Sequence, residues 1–123
     1  MRDGADATPT LGVELSPDDP VPAVVDRGVA AENAGYDVAF VSCHYNNRDP
    51  FAALARLAGE TDRIRLGPGV ANPYELHPVT LAGKTATVAE LSGGRGAFGT
   101  GPGDPSTLRN PGLADDRWRR SVL

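Results

Sequence analysis

Residues 77–95 read HPVTLAGKTATVAELSGGR, and this stretch decides the fold. Its proline stands where the first turn of a helix accepts one. Its apolar side chains recur at helical spacing: Leu81, Val88 and Leu91. The glycine pair that follows is typical of a helix end. The stretch therefore predicts a helix over residues 78–92, and residues 96–100 directly after it predict a short strand.

The same succession of strand and helix precedes this helix. Strands are predicted over residues 11–15, 38–42 and 64–67, helices over residues 22–34 and 49–59, and the start of a further helix over residues 115–123. Strands that alternate with helices through short connections are typical of parallel βαβ units. About three and a half such units fit either a complete doubly wound sheet or roughly half of an eight-stranded barrel.

Composition limits the class of protein. The chain has 123 residues, 40% of them hydrophobic, which suits one globular domain, and its net charge of −4 disfavours a nucleic-acid surface. Residues 1–10 are polar and predict a disordered leader, so we expect the domain over residues 11–123. Since the chain has no signal peptide and no apolar run of about 20 residues, we expect a cytoplasmic protein without membrane contact.

Residues 94–99, GRGAFG, match the dinucleotide-binding pattern G-x-G-x-x-G. In that motif the glycines follow a strand and open a helix, so that the helix N-terminus faces the pyrophosphate. Here they follow a predicted helix and lead into a strand. The context therefore argues against a dinucleotide-binding loop.

Two other glycine-rich turns follow predicted strands, at residues 67–70 and 99–104. Ligands of α/β folds bind at the carboxyl ends of the strands. Glycine backbone there lets a flat ring or a phosphate approach closely. Ordinary surface loops are the alternative interpretation.

Glu14 lies within the first predicted strand. Because alternate side chains of a strand point to opposite faces, packing of Leu15 against the helices would direct Glu14 into a barrel or cleft. A carboxylate there is costly unless paired, and burial would favour its protonated form, as a general acid requires. A hydrogen bond from a neighbouring strand is the alternative role.

Polar side chains cluster directly after the second predicted strand, beginning with Cys43 and His44. These two residues are adjacent and would point to opposite faces, and no second pair is spaced to complete a metal site. We therefore expect no metal. A single cysteine also excludes an intrachain disulfide.

Taken together, four motifs resemble the N-terminal half of the luciferase-like flavin and deazaflavin oxidoreductases. They are HYNNRD at 44–49, GPGVANPY at 67–74, the stretch at 77–95 and GTGPGD at 99–104. With GVEL at 12–15, they are similar more narrowly to the archaeal 5,10-methylenetetrahydromethanopterin reductases. The resemblance implies about four βα units, the N-terminal half, of a (β/α)8 TIM barrel. It also implies binding of the deazaflavin coenzyme F420 and hydride transfer between reduced F420 and the methylene carbon of a tetrahydropterin.

The resemblance further implies roles for single residues. Glu14 would be the carboxylate that protonates the pterin, and Asp104 a second carboxylate of the site. Gly69 and Val70 would form a bulge with a non-prolyl cis peptide that supports the back of the deazaflavin. The remaining coenzyme contacts would come from His44, Asn46, Asn47, Gly101 and Gly103.

The chain departs from this family in two respects. Cys43 stands where the family usually has an aspartate, which removes an acceptor and a charge and predicts weaker coenzyme affinity. Strands five to eight are missing, so we expect a truncated chain that has little or no activity alone. Two alternatives remain: an FMN-dependent monooxygenase of the same superfamily, and a non-catalytic half-barrel that pairs with a second copy or a C-terminal partner.

Overall fold

The computed structural model describes residues 8–103, where strands and helices alternate. The elements are β1 (Gly12–Leu15), α1 (Val21–Asn33), β2 (Val38–Val41), α2 (Pro50–Glu60), β3 (Arg65–Pro68) and α3 (Pro78–Leu91). The three strands form one parallel sheet in the order β1-β2-β3. The first three predicted strands and the first three predicted helices are therefore confirmed, with small shifts at their ends. The helix predicted over residues 115–123 lies outside the described residues, as do residues 1–7 of the predicted leader.

The fourth predicted strand, residues 96–100, is replaced by a segment with two isolated parallel bridges, Leu66 to Gly96 and Ala71 to Thr100. Ala71 lies five positions after Leu66, whereas Thr100 lies only four positions after Gly96. One extra residue on the β3 side makes a bulge, and a bulge interrupts the regular ladder. We call residues 96–100 the fourth segment.

Hydrogen bonds nevertheless continue along both sides of the bulge. The backbone N–H groups of Ala97 and Gly99 donate to the carbonyl oxygens of Leu66 and Pro68, at 2.7 and 2.9 Å. Beyond the bulge, the Ala71 N–H donates to the Gly99 carbonyl at 2.7 Å. The fourth segment therefore extends the sheet beyond β3 in the parallel direction.

Side chains of the two sheet faces have different surroundings. One face packs under the helices and includes Leu15, Val41 and Pro68, which lie side by side across the sheet. The opposite face carries Glu14, aligned with Phe40 and then Gly67. No helix of the described part covers that second face. This one-sided arrangement is the geometry of a barrel wall, with helices outside and an inner face that the remaining strands would enclose.

Side chains and glycine cap the ends of the helices. Asp49 caps α2, because its carboxylate accepts a hydrogen bond from the Phe51 N–H at 2.9 Å. His77 caps α3 in the same manner, with Nδ1 accepting from the Val79 N–H at 3.2 Å. Gly93 has a φ of 66°, a left-handed conformation that ends α3 at little cost for glycine.

A buried carboxylate joins α1 to the start of β3. Glu32, only 7% exposed, accepts hydrogen bonds from the backbone N–H groups of Asp62, Arg63 and Ile64 at 2.8–3.2 Å. Burial by itself opposes ionisation of Glu32, but these donors together outweigh it and hold its pKa below the usual value. We call this arrangement the Glu32 clamp.

Replacing Glu32 with Gln is expected to lower the free energy of unfolding by about 2 kcal/mol at pH 7, because a neutral amide cannot serve all three donors. The folded-state pKa of Glu32 is depressed. The contribution of the clamp is therefore fully present above the unfolded-state pKa of about 4.3 and is lost as pH falls through the lower folded-state value. Urea unfolding of both proteins between neutral and acid pH measures this difference.

The matched control is Glu60→Gln, since Glu60 is exposed and, among the described residues, pairs only with Arg56 one helical turn earlier. Its expected cost is below about 0.5 kcal/mol. Equal stability of the two variants at neutral pH would contradict the role assigned to the Glu32 clamp.

Candidate active site

A cavity of about 300 Å³ opens at the carboxyl ends of the strands, on the uncovered face of the sheet. Its walls are formed by Glu14, Ser42, Cys43, His44, Gly69, Val70, Asn72 and Gly103. These residues come from β1 and from the three connections that follow β2, β3 and the fourth segment. In parallel α/β folds this end carries the ligand-binding loops.

Glu14 projects from β1 onto this face and also borders a shallower hollow with Phe40 and Gly99. The side chain is exposed, and within residues 8–103 it has neither an ion-pair nor a hydrogen-bond partner. We expected Glu14 to be buried or to accept a hydrogen bond from a neighbouring strand. In the described part it does neither. The reason is that nothing there covers the inner face. Within residues 8–103, the carboxylate is open to the cavity.

The turn after β3 brings bare backbone to the cavity. The peptide bond between Gly69 and Val70 is cis, as the family resemblance implied. A Cβ atom added to Gly69 would lie 2.6 Å from the Cβ of Phe40, so only glycine lets the chain sit this close to the inner face of β2. The Val70 side chain is 45% exposed and forms part of the cavity wall. The bulge thus presents an apolar surface suited to a flat ring.

His44 follows β2 and is shared between this cavity and a smaller one of about 80 Å³ that also contains Glu75. Burial raises the pKa of Glu75, and the nearby His44 opposes part of that rise. The Oε1 atom of Glu75 is buried without a hydrogen-bond partner among the described residues. The two side chains therefore couple electrostatically at the rim of the candidate site.

Asn46 and Asn47 lie outside the walls of the cavity. The Asn47 side chain donates to Asp18 and accepts from the Arg48 N–H at 2.9 Å. Arg48 in turn donates to the Asp18 carbonyl at 2.7 Å. These bonds join the loop after β1 to the loop after β2. Part of the polar cluster thus has a structural explanation, while the coenzyme contacts assigned to the two asparagines stay predictions.

Cys43 is half-buried between the two cavities, and its Sγ lies 3.9 Å from the Val41 carbonyl oxygen. Burial raises the pKa of Cys43 to about 12, and the charges of Glu75 and Asp49 add to the rise. The side chain is therefore a neutral thiol near pH 7, which is a poor nucleophile. Residues 8–103 contain no group of three or more His, Cys, Asp or Glu side chains arranged to hold a metal ion.

The glycine turn after the fourth segment completes the cavity. Gly103, with a φ of 69°, is part of the wall. Gly101 packs behind it, where an added Cβ would touch the Val70 side chain at 3.4 Å. Asp104, the next predicted site residue, lies outside the described residues. The glycines at 94–99 follow α3 and lead into the fourth segment, which is the context that argued against a dinucleotide loop.

Two wall residues, Ser42 and Asn72, were missed in the sequence. Asn72 is buried, donates to the Pro102 carbonyl at 3.3 Å and accepts from the Tyr74 N–H at 2.8 Å. It therefore ties the turn after β3 to the turn after the fourth segment. Both residues lie at or shortly after the carboxyl end of a predicted strand. This position could have identified them as candidates for the cavity wall.

Comparison with known proteins decides the family. The family model described as luciferase-like monooxygenase matches residues 2–121. The chain belongs to this family. It is 39% identical over 105 residues to the 5,10-methylenetetrahydromethanopterin reductase of Methanolobus tindarius, an alignment that covers 85% of this chain and 32% of that protein.

Solved structures of family members show the same fold. The coenzyme F420 dependent tetrahydromethanopterin reductase from Methanopyrus kandleri matches with a TM-score of 0.82 at 40% identity, over 86% of this chain and 30% of that one. The monooxygenase RslO1 from Streptomyces bottropensis matches with a TM-score of 0.74 at 26% identity, over 90% and 39%. The chain thus spans about a third of the length of these relatives and forms an N-terminal half-barrel of the luciferase-like type. None of the helices between residues 8 and 103 is long and apolar enough to cross a membrane.

Proposed function

We propose that this chain forms the coenzyme wall of an F420-dependent reductase that acts on a methylene-tetrahydropterin. The observation that carries the proposal is the 40% identity to the F420-dependent tetrahydromethanopterin reductase across the described fold. The cavity at the strand ends supports it. Its bare backbone at Gly69 and its exposed Val70 suit the face of a flat tricyclic ring.

Reduced F420, when bound, supplies the hydride. The proposed roles of this chain's own residues are to hold the coenzyme and to supply a proton. Gly69 and Val70 support one face of the ring, and Gly101 and Gly103 keep side chains out of its path. His44, with Asn46 and Asn47 in the same loop, contacts polar parts of the coenzyme.

Glu14 is the proposed acid. Reduction of the methylene bridge adds a hydride to carbon and breaks a carbon–nitrogen bond, so the released nitrogen needs a proton. Glu14 has a carboxyl group on the inner face beside the bulge, without a partner among residues 8–103, and Asp104 is the proposed second carboxylate. The strands that complete a barrel would enclose Glu14 and separate it from bulk water.

A second candidate is an FMN-dependent monooxygenase. The likeness to RslO1, a monooxygenase at 26% identity, favours it, whereas the higher identity to the reductases favours F420. A third candidate is a non-catalytic half-barrel that pairs with a second copy or a C-terminal partner. We rank the pterin reductase first because both the sequence identity and the similarity of fold to the reductase support it.

A binding titration separates the coenzymes. Residues 1–123 are joined to the remaining C-terminal part of the Methanopyrus kandleri reductase, and we call this fusion the completed barrel. We expect the completed barrel to bind F420 at one equivalent, with FMN binding at least about tenfold weaker, a difference of about 1.4 kcal/mol. Tighter binding of FMN than of F420 would favour the monooxygenase instead. If the completed barrel folds but neither F420 nor FMN saturates it, the non-catalytic half-barrel is favoured.

A further inference from the structure

The smaller cavity of about 80 Å³ adjoins the candidate active site and shares three wall residues with it: Cys43, His44 and Asn72. Glu75 belongs to the wall of the smaller cavity but not to that of the larger one. It is half-buried in the turn after β3, where its N–H donates to the Asn72 carbonyl at 3.1 Å, whereas His44 is exposed. His44 is thus one of the residues that separate Glu75 from the space proposed for the coenzyme.

The carboxyl group of Glu75 lacks a hydrogen-bond donor. Its Oε1 atom is buried and has no partner among the described residues, although a buried polar atom is normally satisfied. Two other donors in the wall of the small cavity are engaged elsewhere. The Asn72 amide donates to a carbonyl of the turn after the fourth segment at 3.3 Å, and the Cys43 Sγ lies 3.9 Å from the Val41 carbonyl oxygen. The ring of His44, which always carries at least one N–H, is the remaining side-chain donor in the described wall of this cavity.

The charges around this pair favour the same contact. Burial raises the pKa of Glu75, and the nearby His44 opposes part of that rise. The charge of Asp18, in the loop after β1, also acts on His44, but its carboxylate already accepts a side-chain hydrogen bond from the loop after β2, the chief cause of its lowered pKa. Cys43 and Asp49, the other ionisable groups in the described wall of the small cavity, bring no positive charge to Glu75. His44 is therefore the basic side chain that faces this carboxyl group.

We propose that Glu75 is a positioning residue of the coenzyme site. Its carboxylate accepts a hydrogen bond from one nitrogen of the His44 ring and thereby directs the other nitrogen toward an oxygen of the bound coenzyme. This inference rests on the proposed function. A carboxylate beside an imidazole selects which ring nitrogen carries the hydrogen and favours a charged ring. Because His44 is exposed, packing alone does not fix its ring, and Glu75 supplies the orientation.

The buried position of Glu75 has a consequence for stability that separates this role from a structural one. Because its folded-state pKa is raised, its contribution to stability is present below the unfolded-state pKa of about 4.3 and is lost as pH rises through the folded-state value. Glu75→Gln is neutral at every pH. In the 123-residue chain it should therefore unfold at a higher urea concentration than the unmodified protein at about pH 8, and the two should converge near about pH 4. A residue that served only the fold would show the opposite change.

Coenzyme titrations of the completed barrel test the role itself. Above the raised pKa of Glu75, we expect Glu75→Gln to bind F420 about tenfold more weakly than the unmodified barrel. The difference should vanish at acid pH, where Glu75 is itself neutral. In a His44→Ala background the same substitution should have no further effect, because the residue through which Glu75 acts is gone. Glu90→Gln, which removes an exposed carboxylate from α3, is the matched control and should change the affinity by less than about twofold.

Three results would overturn the proposal. They are an unchanged F420 affinity in Glu75→Gln, an equal loss of affinity with and without His44, and a Glu75→Gln chain that is less stable than the unmodified one at neutral pH or does not fold. The last result would assign Glu75 to the fold. His44→Gln replaces His44→Ala if that variant does not fold. Failure of the unmodified completed barrel to bind F420 would contradict the proposed function and this inference with it, whereas a barrel that binds F420 equally well with and without the Glu75 carboxylate would contradict this inference alone.

Discussion

Glu14→Gln in the completed barrel is expected to lower the rate of methylene-tetrahydropterin reduction by about 10²–10⁴-fold, the usual contribution of a positioned general acid. Coenzyme affinity should change little, because the substituted glutamine keeps the shape of the side chain and removes only the transferable proton. The structure supplies the premise for this expectation. Glu14 stands alone on the inner face, aligned with Phe40 and Gly67, with no ion pair in the described part.

Steady-state turnover and a coenzyme titration together measure this prediction. Glu90→Gln is the matched control, because it removes a carboxylate from an exposed position on α3, on the helix side of the sheet. A Glu14→Gln protein that keeps more than about a tenth of the control's rate would contradict the role of Glu14 as the acid, since a tenfold loss corresponds to only about 1.4 kcal/mol.

Gly67→Ala is expected to destabilise the fold by about 3–4 kcal/mol. A Cβ atom at Gly67 would lie 1.8 Å from the carbonyl oxygen of Ala97 and 2.4 Å from its carbonyl carbon, and both are backbone atoms that no rotamer can move. The fourth segment would have to leave β3. Overpacking costs about 1–3 kcal/mol, and each lost backbone hydrogen bond between Leu66 and Ala97 or Pro68 and Gly99 adds about 1 kcal/mol.

Urea unfolding measures this loss, and hydrogen exchange at the Ala97 and Gly99 amides locates it. The matched control is Gly83→Ala, because a Cβ atom there meets no atom of residues 8–103 within 4 Å and the position is inside a helix. That control should gain about 0.5–1 kcal/mol. Similar unfolding midpoints for both variants would show that the fourth segment does not depend on close contact with β3.

The sequence predicted most of the fold because its local signals are strong and agree with one another. Asp49 before Pro50 marks the start of α2, and Gly93 marks the end of α3, since each serves a cap that the backbone needs. Alternation along β1 placed Leu15 in the core and Glu14 on the other face. These features depend on residues within one helical turn or one strand of each other.

The bulge between Leu66 and Ala71 replaces a regular fourth strand, and its extra residue shows only once the pairing with residues 96–100 is known. Asn72 and the loop contact between Asn47 and Asp18 are likewise set by partners about 30 residues away. Such contacts between distant residues leave no periodic signal in the chain. The cis peptide at Gly69 and Val70 was expected from the family resemblance rather than from spacing.

Turnover by the completed barrel tests the central claim most directly. The measurement follows oxidation of reduced F420 when methylene-tetrahydromethanopterin is added, with the 123-residue chain alone run in parallel. Our account predicts pterin-dependent oxidation by the completed barrel and little or none by the chain alone. A folded completed barrel that binds F420 but oxidises it at the same rate with and without the pterin would contradict the assignment.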